Sequence, residues 1–299
     1  MTLQAGDDRR HALPDHPHAR ESLYWSVVLP QERLGLIGYC FLKPDGSAST
    51  LALAMDDDMQ TPAFELVSDV TFEGENLDCF RVGPLAVEHG EPLQTATIAF
   101  AGKQIRMDWR HTALHEAFDY ARNADACCPA MATNRFEQGG AVQGGFSFAD
   151  RSGRFETRGW RDHSWGVRDW KAMHHYKWIS VTAGADLAFN AMQTFWRGET
   201  RVNGFVLREE LLAPVIELDI VTDYDPELRQ QRVRLTMHDD AGRTTHAVGE
   251  RFAGATLPFG GVSLAEACCT FEVEGQGGVG IVEYMWPEGY REHTASNGL

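Results

Sequence analysis

Much of the chain is written in a two-residue rhythm. Val233, Leu235 and Met237 alternate with Arg232, Arg234 and Thr236, and Ile105, Met107 and Trp109 alternate with Arg106 and Asp108. Ile216, Leu218 and Ile220 alternate with Glu217 and Asp219; Ala267, Cys269, Phe271 and Val273 alternate with Cys268, Thr270 and Glu272. Successive side chains of a strand point to opposite faces, so this rhythm predicts antiparallel strands with one buried face and one wet face. Turn-forming residues punctuate the runs at Pro44-Asp45-Gly46, Ala101-Gly102-Lys103, Asp150 to Gly153, Asp239 to Gly242 and Gly275 to Gly278. Many short strands between such turns define an all-β chain, a barrel or a sandwich. Helical spacing is sparse. The best candidate is Thr112 to Arg122, where Leu114, Phe118 and Ala121 share a face, followed by a short helix near Glu209 to Leu212.

The glycine-rich run from Gly139 to Gly145 is the natural place to divide the chain. Residues 1–20 are then expected to be a flexible arm, 21–143 an N-terminal β-barrel domain and 144–299 a C-terminal one. Each half has about 150 residues, enough for an up-and-down barrel of about eight strands.

Composition narrows the partners. The 299 residues carry 27 Lys plus Arg against 43 Asp plus Glu, a net charge of -16. A surface this acidic repels phosphate backbones and anionic lipid heads, and no Lys/Arg-rich run offsets it. Nucleic acid is therefore not an expected partner, and a small molecule is. No run approaches the ~20 apolar residues of a membrane helix. Met1 to Arg20 is polar, holds His11, His16 and His18, and lacks the apolar core of a signal peptide, so the cytoplasm is the expected compartment. The six cysteines (Cys40, Cys79, Cys127, Cys128, Cys268 and Cys269) include two adjacent pairs, which suits neither a disulfide framework nor Cys-x-x-Cys metal binding. They read as reduced, mostly buried thiols.

The candidate chemistry is concentrated in Gly159 to Trp170, where three of the eight tryptophans, two Arg–Asp steps and a histidine fall together. In an extended strand His163 and Trp165 share a face with Arg161, while Asp162 and Ser164 share the other. An imidazole can move a proton near neutral pH, and an indole face can stabilise a developing positive charge. His163 is the candidate acid/base, Asp162 its orienter or the acid itself, and Trp165 the cation-stabilising wall. Arg161, Arg168 and Asp169 read equally well as structural ion pairs at a domain interface. Glycines 159 and 166 mark bulges or bends.

Arg161 to Trp170, RDHSWGVRDW, resembles the signature of a family of two-domain calycin (lipocalin-like) β-barrel proteins that includes AttH-like proteins and carotenoid 1,2-hydratases. Phe136-Glu137-Gln138 and Gly280-Ile281-Val282-Glu283-Tyr284 support the resemblance, which covers roughly residues 20–290. It implies two lipocalin-like barrels packed side by side, with an apolar ligand cavity near their junction. In the hydratases a His-x-Trp works with a Tyr-x-Asp whose acid protonates an isoprenoid double bond. His163 and Trp165 match the first motif. The acid has no match, since Asn190 or Gln193 stands there and an amide cannot donate as a general acid; Asp162, Asp169 or Asp186 would have to replace it. Trp170, Tyr176, Asn190 and Gln193 are expected to line the ligand site.

Other pairings carry less. His111 and His115 are four apart, but Glu116 is misplaced for His-Glu-x-x-His and no third zinc ligand is apparent. One of His174 and His175 would point inward. Asp56-Asp57-Asp58 lacks spaced calcium ligands and reads as a solvated loop. The sequence thus points to binding of a hydrophobic small molecule, isoprenoid, steroid-like or polyketide, with hydration, dehydration, isomerisation or cyclisation and with no cofactor and no metal. The alternatives are a non-catalytic lipid carrier and a metal-dependent hydrolase.

Overall fold

A computed structural model describes residues 3–57, 62–184 and 186–290. It is all-β, built from two antiparallel sheets. The first holds β1 (Ala19–Leu29), β2 (Leu34–Leu42), β3 (Ser47–Met55), β4 (Ala63–Thr71), β5 (Cys79–Val82), β6 (Leu85–His89), β7 (Thr95–Ala101), β8 (Ile105–Ala113), β9 (Phe118–Asp119), β10 (Asn134–Phe148) and β11 (Arg151–Val167). The second holds β12 (His175–Ala183), β13 (Leu187–Trp196), β14 (Glu199–Arg208), β15 (Leu211–Tyr224), β16 (Gln230–Asp239), β17 (Thr244–Phe259), β18 (Val262–Val273) and β19 (Gln276–Pro287). The second is an up-and-down barrel closed by β19 on β12. The first runs β4-β3-β2-β1-β11-β10-β8-β7-β6-β5 and is nearly closed. Its free ends are drawn together where Glu73 bridges Arg81 and where the Glu65 carboxylate on β4 accepts the backbone N–H groups of Lys103, Gln104 and Ile105.

The alternation works as expected in β8 and β16, where Ile105, Met107, Trp109, Val233, Leu235 and Met237 are buried. It slips in β15. A bulge between Val215 and Glu217 shifts the phase, leaving Ile216 exposed and Leu218 half-buried. In β18 Cys268 is buried as well as Cys269, because this strand packs on both sides.

Five expectations need correction. The Gly139–Gly145 run is no linker. It lies inside β10, squeezed between β8 and β11: a Cβ on Gly140 would meet the His111 ring at 2.2 Å, and one on Gly144 the Asp108 carbonyl at 2.0 Å. Glycine is needed there for close approach. The chain changes sheet between Val167 and His175, so the RDHSWGVRDW strand belongs to the first sheet rather than the second. The expected helix over Thr112–Arg122 is instead the end of β8, the short β9 and a 3-10 turn at Tyr120–Arg122; the one near Glu209 is a hairpin turn with positive φ at Glu209 and Glu210. Nor is the start of the chain a loose arm. Ala5–Asp8 forms a 3-10 turn, and the buried Asp8 accepts from Leu93 N–H at 2.6 Å and from Arg161 at 3.0 Å.

Buried apolar residues form three clusters. One fills the first sheet (Leu23, Trp25, Ile98, Trp109), one fills the closed barrel (Phe189, Leu235, Phe271), and the third lies between them (Tyr24, Ile37, Leu53, Trp178, Met192, Phe205, Met285). The sheets pack closely enough that a Cβ on Gly35 would meet Cys268 Sγ at 2.1 Å. That intermediate layer contains the cavity described next.

Candidate active site

The centre of β11 sends its side chains two ways, and both sides are buried. Arg161, His163 and Trp165 point into the first sheet. His163 Nε2 sits 2.8 Å from Oε1 of the fully buried Glu21 on β1, and His11 Nδ1 reaches the same oxygen at 2.8 Å. Trp165 stacks on the His11 ring at 3.6 Å, and Phe136 packs edge-on against His163 at 5.4 Å. Arg161 pairs with Asp8, donates to Gln138 Oε1 at 2.8 Å and lies over Phe136. These contacts seal the N-terminal segment to the sheet. Gly166 (φ +122°) ends the run where Thr133 N–H bonds the Trp165 carbonyl at 2.8 Å, leaving no room for a Cβ. The three side chains expected at a reaction centre or a domain interface therefore lie outside the cavity.

Trp160, Asp162 and Ser164 face the second sheet. There a cavity of about 310 Å³ opens between the sheets, walled by Tyr24, Tyr39, Phe64, Trp170, Tyr176 and Trp178, among others. Its polar groups are few: Asp162, Arg135, Arg168, Glu266 and Glu283. Arg135 holds Asp162 at 2.9 Å and also pairs with Glu137, whose oxygens accept the indole N–H groups of Trp160 (2.6 Å) and Trp178 (2.9 Å). Burial raises the Asp162 carboxyl above its usual range, against the pull of Arg135 and Arg168. Glu266 on β18 and Glu283 on β19 are cross-strand partners. Burial first, then the charge of Glu283 and a hydrogen bond to it, push Glu266 well above the ordinary carboxyl range. Glu266 is therefore a cavity carboxyl whose protonated form burial favours. Tyr176 donates its hydroxyl to Glu283. Tyr24 closes the group, its own ionisation suppressed by burial and by both glutamates. The arrangement sets a carboxyl biased toward its protonated form beside a second, hydrogen-bonded carboxyl in an aromatic pocket.

Of the sequence-chosen residues, Asp162, Trp170, Tyr176 and Arg168 line this cavity; His163, Trp165, Arg161, Asn190 and Gln193 do not. Asn190 is a fully buried brace that accepts from Tyr120 and donates to the Ile179 carbonyl, tying the turn after β9 to the second barrel. Asp169 caps the 3-10 turn Trp170–Ala172, accepting from Lys171 N–H at 3.1 Å. The expected Arg–Asp steps do not pair with each other: Arg161 takes Asp8, and Asp162 takes Arg135. Sequence reasoning missed Glu266, Glu283, Tyr24 and Arg135.

The lesser candidates resolve simply. His111 is buried and held well below its usual range by desolvation. His115 is pushed down to about 4 and accepts from Gly139 N–H, and the two share no helix face. His174 and His175 contact each other through their Nδ1 atoms at 2.8 Å. Asp57 pairs with Arg33 and Asp56 with Arg151, while Asp58 lies outside the described residues. All six cysteines are free, and only Cys79 is exposed. His11, Glu21 and His163 converge closely enough to offer three ligand atoms to a metal ion. Their 2.8 Å separations are those of hydrogen bonds. No helix among the described residues is long and apolar enough to cross a membrane.

Fold and site together define a two-sheet β-protein with an acid-bearing apolar cavity between the sheets. Residues 4–288 match the model of a family described as a domain of unknown function, DUF7064, and the chain belongs to that family. No curated protein matches the sequence. Among solved structures, CghA with Sch210972 superposes with a TM-score of 0.67 at 13% identity, over 91% of this chain and 89% of that one. Kievitone hydratase from Nectria haematococca gives 0.62 at 10% identity, over 90% and 88%. At these identities the likeness establishes a shared fold, the one the sequence resemblance implied.

Proposed function

We propose that the chain catalyses proton-transfer chemistry (hydration, dehydration, isomerisation or cyclisation) on a hydrophobic small molecule held between the two sheets. The observation that carries the reading is Glu266 facing Glu283 across paired strands in a cavity walled by aromatic rings, where burial favours the protonated form of Glu266. In the hydration direction, the Glu266 proton passes to one carbon of a substrate double bond. The cation left on the other carbon faces the rings of Tyr24, Trp170 and Trp178, which stabilise it. Water adds to it and gives its extra proton to the carboxyl pair, which returns to its one-proton state. Dehydration is the reverse; attack by a second double bond instead of water closes a ring and moves the cation to the far carbon of that bond, whose neighbouring C–H then gives its proton to the carboxyl pair. Tyr176 orients Glu283 throughout. None of these steps requires a redox group. The hydratase among the structural neighbours is consistent with this class of reaction.

The test has two stages. Native mass spectrometry identifies the small molecule retained by protein from its own source. That molecule is then incubated with wild type and Glu266→Gln in deuterated water. Deuterium enters a carbon position with wild type, and the variant binds but incorporates at least about 100-fold more slowly. Binding without incorporation by the wild type would instead make the protein a carrier.

A further inference from the structure

Where Arg168 and Trp170 line the cavity, a second guanidinium lies just behind them. Arg20 on β1 lies on the same strand face as Tyr24, four residues away or about 13 Å along the strand. Its guanidinium sits over the rings of Phe41 (5.1 Å) and Trp170 (5.3 Å), while Arg168 lies over Trp170 as well (5.5 Å). Arg168 spends Nε on the Met131 carbonyl and Nη2 on the Ser164 hydroxyl, and it lines the cavity. Arg20 leaves two donors open: its Nε and Nη2 are shut off from solvent without a hydrogen-bond partner, and so is the indole Nε1 of Trp170. The charged and titratable groups acting on Arg20 are Tyr39, Tyr176 and Arg168, none of them a carboxylate. Burial and the neighbouring Arg168 push its pKa down to about 10. Asp162, the cavity carboxylate that feels Arg168, is already held by Arg135.

Two guanidiniums on one indole, in a chain of net charge -16, are an uncompensated cation pair. Buried donors left open cost stability unless something fills them. A planar oxyanion fits, since it can take Nε and Nη2 of one arginine side by side. We infer that Arg20, Arg168 and the Trp170 indole form a subsite for a carboxylate at one end of an otherwise apolar ligand. This rests on the cavity being the ligand site. It narrows the substrate class to amphipathic acids whose anionic head docks at the arginines and whose apolar body reaches the glutamates.

The test is calorimetric titration of the full chain with decanoate and with decanol, equal in length and differing in charge. Wild type is expected to bind decanoate at least about tenfold more tightly than decanol. Arg20→Met should abolish that preference while leaving decanol affinity unchanged, which also shows that the variant is folded. Equal affinity of the wild type for both probes overturns the anionic subsite and leaves the cavity standing. A preference that survives in both Arg20→Met and Arg168→Met overturns it too. Binding of neither probe by the wild type overturns the subsite and the cavity reading together.

Discussion

The two sides of β11 make opposite uses of the same kind of residue. On one side Arg161, His163 and Trp165 each find a close partner in Asp8, Glu21 and His11, although Arg161 Nη2 and His163 Nδ1 stay unpaired, and together they fasten the start of the chain to the first sheet. On the other side Asp162 meets a cavity that also holds Glu266, whose carboxyl burial pushes well above its ordinary range, and Arg168, whose neighbour Arg20 has open donors. Satisfied polar groups hold structure. Unsatisfied ones beside empty space are where a ligand can be bound and changed. Chemically versatile side chains alone do not separate the two cases; their partners do.

The comparison breaks most directly at Glu21. Glu21→Gln leaves both imidazoles without their shared carboxylate and is expected to destabilise the fold by about 3 kcal/mol. Denaturant unfolding measures this, and proteolysis should then clip the N-terminal segment first. An unchanged midpoint would mean that this cluster fastens nothing. Gly35→Ala comes next: its methyl must displace Cys268, at about 1–3 kcal/mol, with damage confined to the contact between sheets. Near-ultraviolet circular dichroism should register altered tryptophan packing there with the β signal intact.

The pH responses are smaller and have a definite sign. Half-buried His115 has a folded pKa of about 4, pushed down by desolvation from an ordinary 6.5, so acid protonates the unfolded chain first. Stability should therefore fall as pH drops from about 6.5 toward about 4, and His115→Gln should flatten that limb. Asp8 is a depressed acid, at about 2 against 3.8; desolvation opposes the shift, while Arg161 leads the interactions that produce it. Its contribution is present above 3.8 and is lost as pH falls toward about 2, so Asp8→Asn should remove only this lower limb. A melting temperature flat from neutral pH down to 4 would contradict the desolvation of the His115 ring.

The fold was legible because strand periodicity is a local signal, strong in runs such as Val233 to Met237. The misreadings came where one residue type serves two physical ends. Glycine loosens linkers, but it also lets β10 press against β8, and only the pairing partners distinguish the uses. The site was half legible. Tryptophan and histidine density drew attention to β11, yet both of its faces are buried, so parity could not reveal which one meets the cavity. The acid pair left a fainter trace. Glu274-Gly275 is a tight turn with positive φ at both residues, and a hairpin centred on it brings Glu266 opposite Glu283. Two acids facing each other inside apolar strands are worth seeking wherever a hairpin can be folded on paper. Arg20 and Arg135 gave no comparable signal, since their roles depend on contacts far along the chain.

The central claim is that the working proton sits on Glu266 in the cavity and not on His163 within the first sheet. Glu266→Gln and His163→Gln, each confirmed folded, should be assayed side by side for deuterium incorporation into the retained small molecule. The account predicts that Glu266→Gln binds it but loses incorporation by at least about 100-fold, while folded His163→Gln keeps a rate within a fewfold of wild type. Loss of incorporation in a folded, ligand-binding His163→Gln, with Glu266→Gln active, would contradict it.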